Sequence, residues 1–116
     1  KKSGAAQLSA RFEAKFGVPM NGHAAETYQS TMVLADALER AKSTDRAKLR
    51  EALAQTNMCG ARNILPYDCV KFDPSGQSPQ GQLVMLQIQK GKFVTVWPPE
   101  VAAAAPVYPV PGWSKR

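Results

Sequence analysis

The fold class follows first from residues 83–98, which read LVMLQIQKGKFVTVWP. Apolar and polar side chains alternate here on both sides of Lys90-Gly91, a pattern typical of two antiparallel strands joined by a two-residue turn. This turn predicts three facing pairs: Ile88 with Phe93, Leu86 with Thr95, and Val84 with Trp97. Because these pairs collect large apolar side chains on one side of the ribbon, we expect that face of the β-hairpin to be buried.

The chain before the hairpin changes from a helical to an extended period near residue 57. Apolar side chains recurring every three or four residues predict helices over about 5–16, 24–42 and 45–56. We expect Ser43-Thr44 to cap the third helix and Tyr28 to lie in the core beneath the second. Residues 69–73 have the pattern of a short strand, which leads into the turn Asp73-Pro74-Ser75-Gly76.

The composition is that of an ordinary folded domain, with 116 residues of which 44% are hydrophobic. The net charge is +6, but the basic residues are spread along the chain and mostly alternate with acids. Phosphate binding needs a concentrated basic patch, so we predict no nucleic-acid partner. No apolar run of about 18 residues is present. The start, Lys1-Lys2-Ser3-Gly4, has neither Met nor a leader, as expected of a piece of a longer protein.

Two cysteines, Cys59 and Cys69, lie in a loop-like stretch. Two thiolates and the distant His23 make a poor set of metal ligands, and no third group completes a Cys/His catalytic site. The spacing favours a short-loop disulfide, with two buried free thiols as the alternative. A disulfide would stabilise the fold by about 2–3 kcal/mol and indicate an oxidising compartment.

No recognisable motif assembles the residues that catalysis requires. The sequence has no Ser-His-Asp set, no paired acids at predicted strand ends, no phosphate loop and no metal motif. We therefore predict that the chain is not an enzyme, has no catalytic residues, and needs no metal or cofactor.

Four groups of residues occur in a distinctive order. They are AAETY at 24–28 with LADAL at 34–38, STD at 43–45 with LREAL at 49–53, VKFDPSGQ at 70–77, and QIQKGKFVTVWP at 87–98. Together they resemble the carboxy-terminal portion of periplasmic solute-binding proteins of branched-chain amino-acid type ABC transporters, the Leu/Ile/Val-binding protein family. The resemblance covers roughly residues 8–113. The chain departs from the family in having Gln29 where an acid is common, and the two cysteines are not part of the family pattern.

The resemblance implies the type I periplasmic-binding fold, an α/β fold with two lobes and a solute cleft between them. Residues 1–66 then form the helical part of one lobe. Residues 67–98 form a strand and a β-hairpin near the hinge, which strands of the fold cross. Residues 99–116 form a Pro-rich carboxy-terminal tail. The central strands of both lobes are missing from this chain. We therefore expect its apolar faces to be buried by the remainder of its own polypeptide or by a second copy.

The function that the resemblance implies is that of an extracytoplasmic solute-binding component of an ABC uptake transporter. The protein would be periplasmic or otherwise extracytoplasmic, either secreted or lipid-anchored. Its partners would be a small-molecule solute, namely an amino acid, an amide or an aromatic carboxylate, and the membrane permease of the transporter. The alternative is a ligand-sensing receptor domain of a signalling protein with the same fold.

The family places the loop before the long helix at the mouth of the cleft. The resemblance therefore implies solute contacts from His23, Ala24, Ala25 and Glu26. The start of a helix offers backbone N–H groups and a positive dipole end, which suit a carboxylate. The alternative is that His23 is only an exposed loop residue and Glu26 only stabilises the first helical turn.

Overall fold

The structure is a computed structural model that describes residues 3–81, 83–110 and 112–115. The chain divides after Gly81 into two compact units. The first unit is helical with one small antiparallel sheet, and the second is a β-hairpin followed by a proline-rich tail. Helices and strands together agree with the predicted α/β class.

Long helices make up most of the first unit. Their bounds are Ser3–Phe16 for α1, Gly22–Ala41 for α2 and Arg46–Ala54 for α3. The N-cap of α3 is Asp45, whose side chain accepts hydrogen bonds from the N–H groups of Ala47 and Lys48. Ser43 instead accepts a hydrogen bond from the N–H of Asp45. The predicted cap at Ser43-Thr44 is therefore wrong, because Asp45 stands next to the first helical turn and satisfies two of its free donors.

The small sheet of the first unit pairs β1, Asn57–Cys59, with β2, Cys69–Lys71. Sequence analysis predicted a strand at 69–73 but not its partner β1. Cys59 and Cys69 face each other in the ladder with their Cα atoms 4.2 Å apart, and their sulfurs are bonded. The predicted disulfide is thereby confirmed. It closes the loop of residues 60–68.

The buried face of α2 differs from the predicted one. Gln29, Val33 and Ala37 recur every four residues and are its buried side chains. Tyr28 lies one position away, about 100° around the helix, and is 40% exposed, so its predicted place in the core is wrong. The core beneath α2 consists of Val33, Met58 and Val70, with Leu53, Tyr67 and Phe72 packed against them. Helix α3 and the small sheet together select this face, because they supply the apolar partners.

The hairpin of the second unit joins β3, Met85–Gln89, to β4, Lys92–Trp97. Lys90 and Gly91 have φ angles of 51° and 73°, as a two-residue type I′ turn requires. Two predicted pairs are confirmed: Ile88 with Phe93, and Leu86 with Thr95. The third is wrong, because Trp97 faces Met85 instead of Val84. Val96 is an extra residue in β4 at this point, and such a bulge shifts the register beyond it.

The apolar face of this hairpin is open within its unit. Its side chains are largely exposed: Leu86 by 54%, Ile88 by 68% and Phe93 by 77%. The proline-rich tail instead lies on the opposite, polar face. Gln87 exchanges two hydrogen bonds with the backbone of Val107, at 2.9 and 3.0 Å, and Gln89 donates one to the carbonyl of Ala105. Amide side chains hold the tail on the polar side, so no described residue of this unit covers the apolar face, and its burial by the remainder of the polypeptide or by a second copy stays a prediction.

Candidate functional site

The first turn of α2 carries the four residues predicted to contact a solute. Asn21 precedes it in an extended conformation, and its side chain accepts a hydrogen bond of 2.9 Å from the N–H of Ala24. The N–H of Ala25 donates to the carbonyl of Asn21 at 3.1 Å. Among the described residues, the N–H groups of Gly22 and His23 make no hydrogen bond. Asn21 thus accepts hydrogen bonds from the N–H groups of Ala24 and Ala25, and the adjacent N–H groups of Gly22 and His23 remain available as donors.

His23 and Glu26 come together on the surface of this turn. The Nδ1 atom of His23 lies 3.5 Å from an Oε atom of Glu26, and the two side chains are 96% and 66% exposed. Ala24 and Ala25 are half-buried beside them. The four predicted residues therefore form one patch that presents a carboxylate, an imidazole and two free backbone donors.

Gln29, one turn further along α2, is buried and links this helix to the loop of residues 60–68. Its side chain is only 2% exposed. The Nε2 atom donates to the carbonyl of Arg62 at 3.2 Å and to the sulfur of Met58 at 2.9 Å, while Oε1 accepts from the N–H of Ile64 at 2.9 Å. An amide side chain carries both a donor and an acceptor, so it makes all of these contacts together. Gln29 therefore holds the loop of residues 60–68 against α2.

Tyr67, at the far end of this loop, was not identified from the sequence. Asn63, which is 1% exposed, donates from Nδ2 to the carbonyl of Tyr67 at 2.5 Å and accepts from the N–H of Leu65 at 2.9 Å. Burial raises the pKa of the Tyr67 hydroxyl above its ordinary value, and the negative charge of Glu26 raises it further. Tyr67 therefore lies within electrostatic reach of the predicted patch. The only sequence signal for it was its place in a loop between two cysteines.

A second polar cluster joins α2 to α3 and to the same loop. Asp36 accepts from Nε of Arg40 at 2.8 Å and from a guanidinium nitrogen of Arg62 at 3.1 Å. Arg40 also donates to the carbonyl of Ala52 at 2.6 Å and reaches the hydroxyl of Thr56 at 3.4 Å. The charges of Asp36, Arg40 and Arg62 are paired with one another, so this cluster has a structural role: it links α2 to α3 and to the loop.

The turn at Asp73 is likewise structural. One carboxylate oxygen accepts from the N–H of Ser75, the hydroxyl of Ser75 and the N–H of Gln77, at 2.8, 2.6 and 3.1 Å. The hydroxyl of Ser75, followed by the backbone N–H of Gln77, lowers the pKa of Asp73 below its ordinary value. This carboxylate stabilises its own turn.

Across residues 3–81, 83–110 and 112–115, no three His, Cys, Asp or Glu side chains are grouped so that they could hold a metal ion. None of the helices there is both long and apolar enough to cross a membrane. Both cysteines are in the disulfide, so neither supplies a thiolate nucleophile.

Comparison with known proteins identifies related sequences. A family model described as periplasmic binding protein matches residues 1–92. Similar curated proteins include the Leu/Ile/Val-binding protein homolog 7 of Brucella melitensis biotype 1, which is 32% identical over 92 residues, and that of Brucella suis biovar 1, which is 30% identical over 92 residues. Each alignment covers 78% of this chain and 23% of the relative. The chain thus spans about a quarter of the length of these relatives.

Proposed function

The chain belongs to the periplasmic binding protein family, and from this premise we propose that it is part of the solute-binding component of an ABC uptake transporter. The solute is a small amino-acid-like or carboxylate compound, bound in a cleft between two lobes. Membership of this family implies an extracytoplasmic location, and a disulfide is the form that cysteines take in such oxidising compartments. The partners are the solute and the membrane permease of the transporter.

The observation that carries this proposal is the family match over residues 1–92, together with the names of the Brucella relatives as Leu/Ile/Val-binding protein homologs. The geometry at the start of α2 supports it. The adjacent N–H groups of Gly22 and His23, at the positive end of a 20-residue helix, suit the carboxylate of an amino acid. Glu26 and His23 supply side-chain contacts, and Ala24 and Ala25 leave room beside them.

A thermal-shift screen of the complete protein tests this function. The panel contains L-leucine, L-isoleucine, L-valine, aliphatic amides and aromatic carboxylates. A ligand that binds only the folded state stabilises it by about 2.7 kcal/mol at a concentration one hundred times its Kd, so a true solute raises the melting temperature progressively with concentration. If no compound of the panel does so, the proposal is contradicted.

Two matched variants then locate the site. Glu26→Gln keeps the shape of the side chain and removes its charge, so we expect it to weaken the ligand-induced shift of an amino-acid solute. Glu39→Gln makes the same change at an exposed position of the same helix and serves as the control. Equal effects of the two variants would contradict a role for the first turn of α2.

A further inference from the structure

An asparagine and a glycine adjoin each other where α2 begins. Asn21 is the extended N-cap residue, with φ of −92° and ψ of 174°, and Gly22 is the first residue of the helix. Both residues are exposed to solvent. The backbone nitrogen that follows an asparagine can close a five-membered ring with the Cγ atom of that side chain. The pair therefore has the composition and the access to water that such a ring closure requires.

The nitrogen of Gly22 is free to react. Its N–H group makes no hydrogen bond among the described residues, and glycine has no side chain to hinder the approach of this nitrogen to Asn21. Ring closure requires Asn21 to rotate about its Cα–C bond. That rotation gives up two hydrogen bonds at the first turn, one of 2.9 Å from the N–H of Ala24 and one of 3.1 Å from the N–H of Ala25. Helix ends open more readily than helix interiors, so this turn samples the rotated conformation.

The other two asparagines of the chain, Asn57 and Asn63, are held in place. Asn63 is 1% exposed, and both ends of its amide are hydrogen-bonded to the backbone. Asn57 begins β1, and the next residue is Met58, whose side chain is 3% exposed. Ring closure at either position would require the small sheet or the buried loop to open, which costs more than opening a helix end. The structure therefore distinguishes Asn21 from the other two.

We propose that Asn21 is a site of spontaneous deamidation. A base in solution takes the proton of the Gly22 N–H group, and the nitrogen attacks Cγ of Asn21. The Cγ–Nδ2 bond breaks, and Nδ2 takes up a proton and leaves as ammonia. Water then opens the ring: cleavage between the nitrogen and Cγ gives aspartate, and cleavage between the nitrogen and the backbone carbonyl carbon gives isoaspartate. The net reaction consumes one water and releases one ammonia.

The two products should affect α2 differently. Aspartate keeps a side-chain oxygen in place for the N–H of Ala24 and adds a negative charge at the positive end of the helix. Isoaspartate lengthens the backbone by one carbon and attaches the carboxylate directly to Cα, so the cap at Ala24 is lost. The isoaspartate form should therefore melt at a lower temperature than the aspartate form. This inference does not depend on the proposed function.

The test follows the complete protein during incubation at pH 6 and pH 8, with peptide mapping by mass spectrometry. Fragmentation of the peptides distinguishes aspartate from isoaspartate. Gly22→Ala is the matched variant, since a Cβ at this helical position meets nothing within 4 Å and the fold should accept it. Asn21→Asp supplies the pure aspartate form as a reference. Circular dichroism melts verify that each variant is folded.

We expect the peptide that contains Asn21 to gain about one dalton in mass, faster at pH 8 than at pH 6, and to contain isoaspartate. Modification of Asn57 and Asn63 should be at least about tenfold slower. Gly22→Ala should slow the reaction at Asn21 about tenfold, because the added Cβ restricts the backbone and hinders the attacking nitrogen.

Three results would overturn the proposal. The first is an Asn21 that stays unmodified at pH 8, and the second is an equal rate at Asn21, Asn57 and Asn63. The third is an unchanged rate in Gly22→Ala with no isoaspartate formed, which would indicate direct hydrolysis of the side-chain amide without the nitrogen of Gly22.

Discussion

Replacing Gln29 by Glu should destabilise the protein strongly at neutral pH. The side chain is 2% exposed, and its Nε2 faces a carbonyl and a sulfur, both acceptors. An oxygen in that place loses both donor contacts, and an ionised carboxylate would be buried with no cation within hydrogen-bonding distance in the described structure. An uncompensated buried charge costs about 3–5 kcal/mol, which is a large part of the stability of an ordinary domain.

The penalty should depend on pH, which identifies its cause. Burial raises the pKa of the introduced carboxyl above the ordinary value of about 4.3 for Glu. When protonated, the carboxyl regains a donor for the carbonyl of Arg62. The variant is therefore closest to the wild type below about pH 4, and its deficit grows as the pH rises from there through the raised pKa.

Urea unfolding of the complete protein between pH 4 and pH 8 measures this deficit. Gln29→Ala removes the same hydrogen bonds without adding charge, so its cost, about 2–4 kcal/mol, should not vary with pH. Gln7→Glu, at an exposed position of α1, should change stability by no more than about 0.5 kcal/mol. A Gln29→Glu variant as stable as the wild type at pH 7, or one whose deficit does not change with pH, would refute this account of the buried amide.

Three further predictions concern other parts of the first unit. Replacing both Cys59 and Cys69 by Ser should lower the free energy of unfolding by about 2–3 kcal/mol. The melting temperature of this variant should also no longer respond to reductant. A variant that melts at the same temperature as the wild type would argue against the closed loop. Asp73 has a lowered pKa in the folded state, so its contribution is present above its usual value of 3.8 and is lost as the pH falls through the lowered one. Asp73→Asn should therefore be less stable than the wild type at pH 6, with the difference in urea midpoint shrinking as the pH falls below 3.8; a difference that does not shrink would contradict the assignment. Asp36→Asn weakens the ion pairs with Arg40 and Arg62. It should lower the free energy of unfolding by about 1 kcal/mol in low salt and by less in 0.5 M salt. A loss of stability that does not depend on salt would indicate lost packing instead.

Sequence patterns identified the parts of this chain that depend on near neighbours. The helices, the Lys90-Gly91 turn and the Asp73 turn each arise from residues within one or two turns of chain, so periodicity and turn chemistry indicate them directly. The family resemblance likewise depended on short runs of residues in order, and the family match and the Brucella relatives agree with it. The solute contacts of His23, Ala24, Ala25 and Glu26 remain a prediction.

The error at Tyr28 has a tertiary cause. A helical period places the buried face of α2 only approximately, since Tyr28 and Gln29 adjoin each other and both can lie near an apolar band. Hydrophobicity favoured the tyrosine. The fold buries the glutamine instead, because the backbone of the loop at Arg62 and Ile64 presents one acceptor and one donor that an amide satisfies together.

Sequence alone therefore determined the helices, the hairpin turn and the family, because each is encoded in local residues or in their order; it favoured the disulfide but left free thiols open. Only the tertiary structure decided which side of α2 is buried and where the bulge at Val96 shifts the hairpin register. Gln29 and Ile64 are 35 residues apart in the chain, and no local pattern specifies the hydrogen bond between them. They meet because the disulfide and the small sheet place the loop between β1 and β2 against the helix.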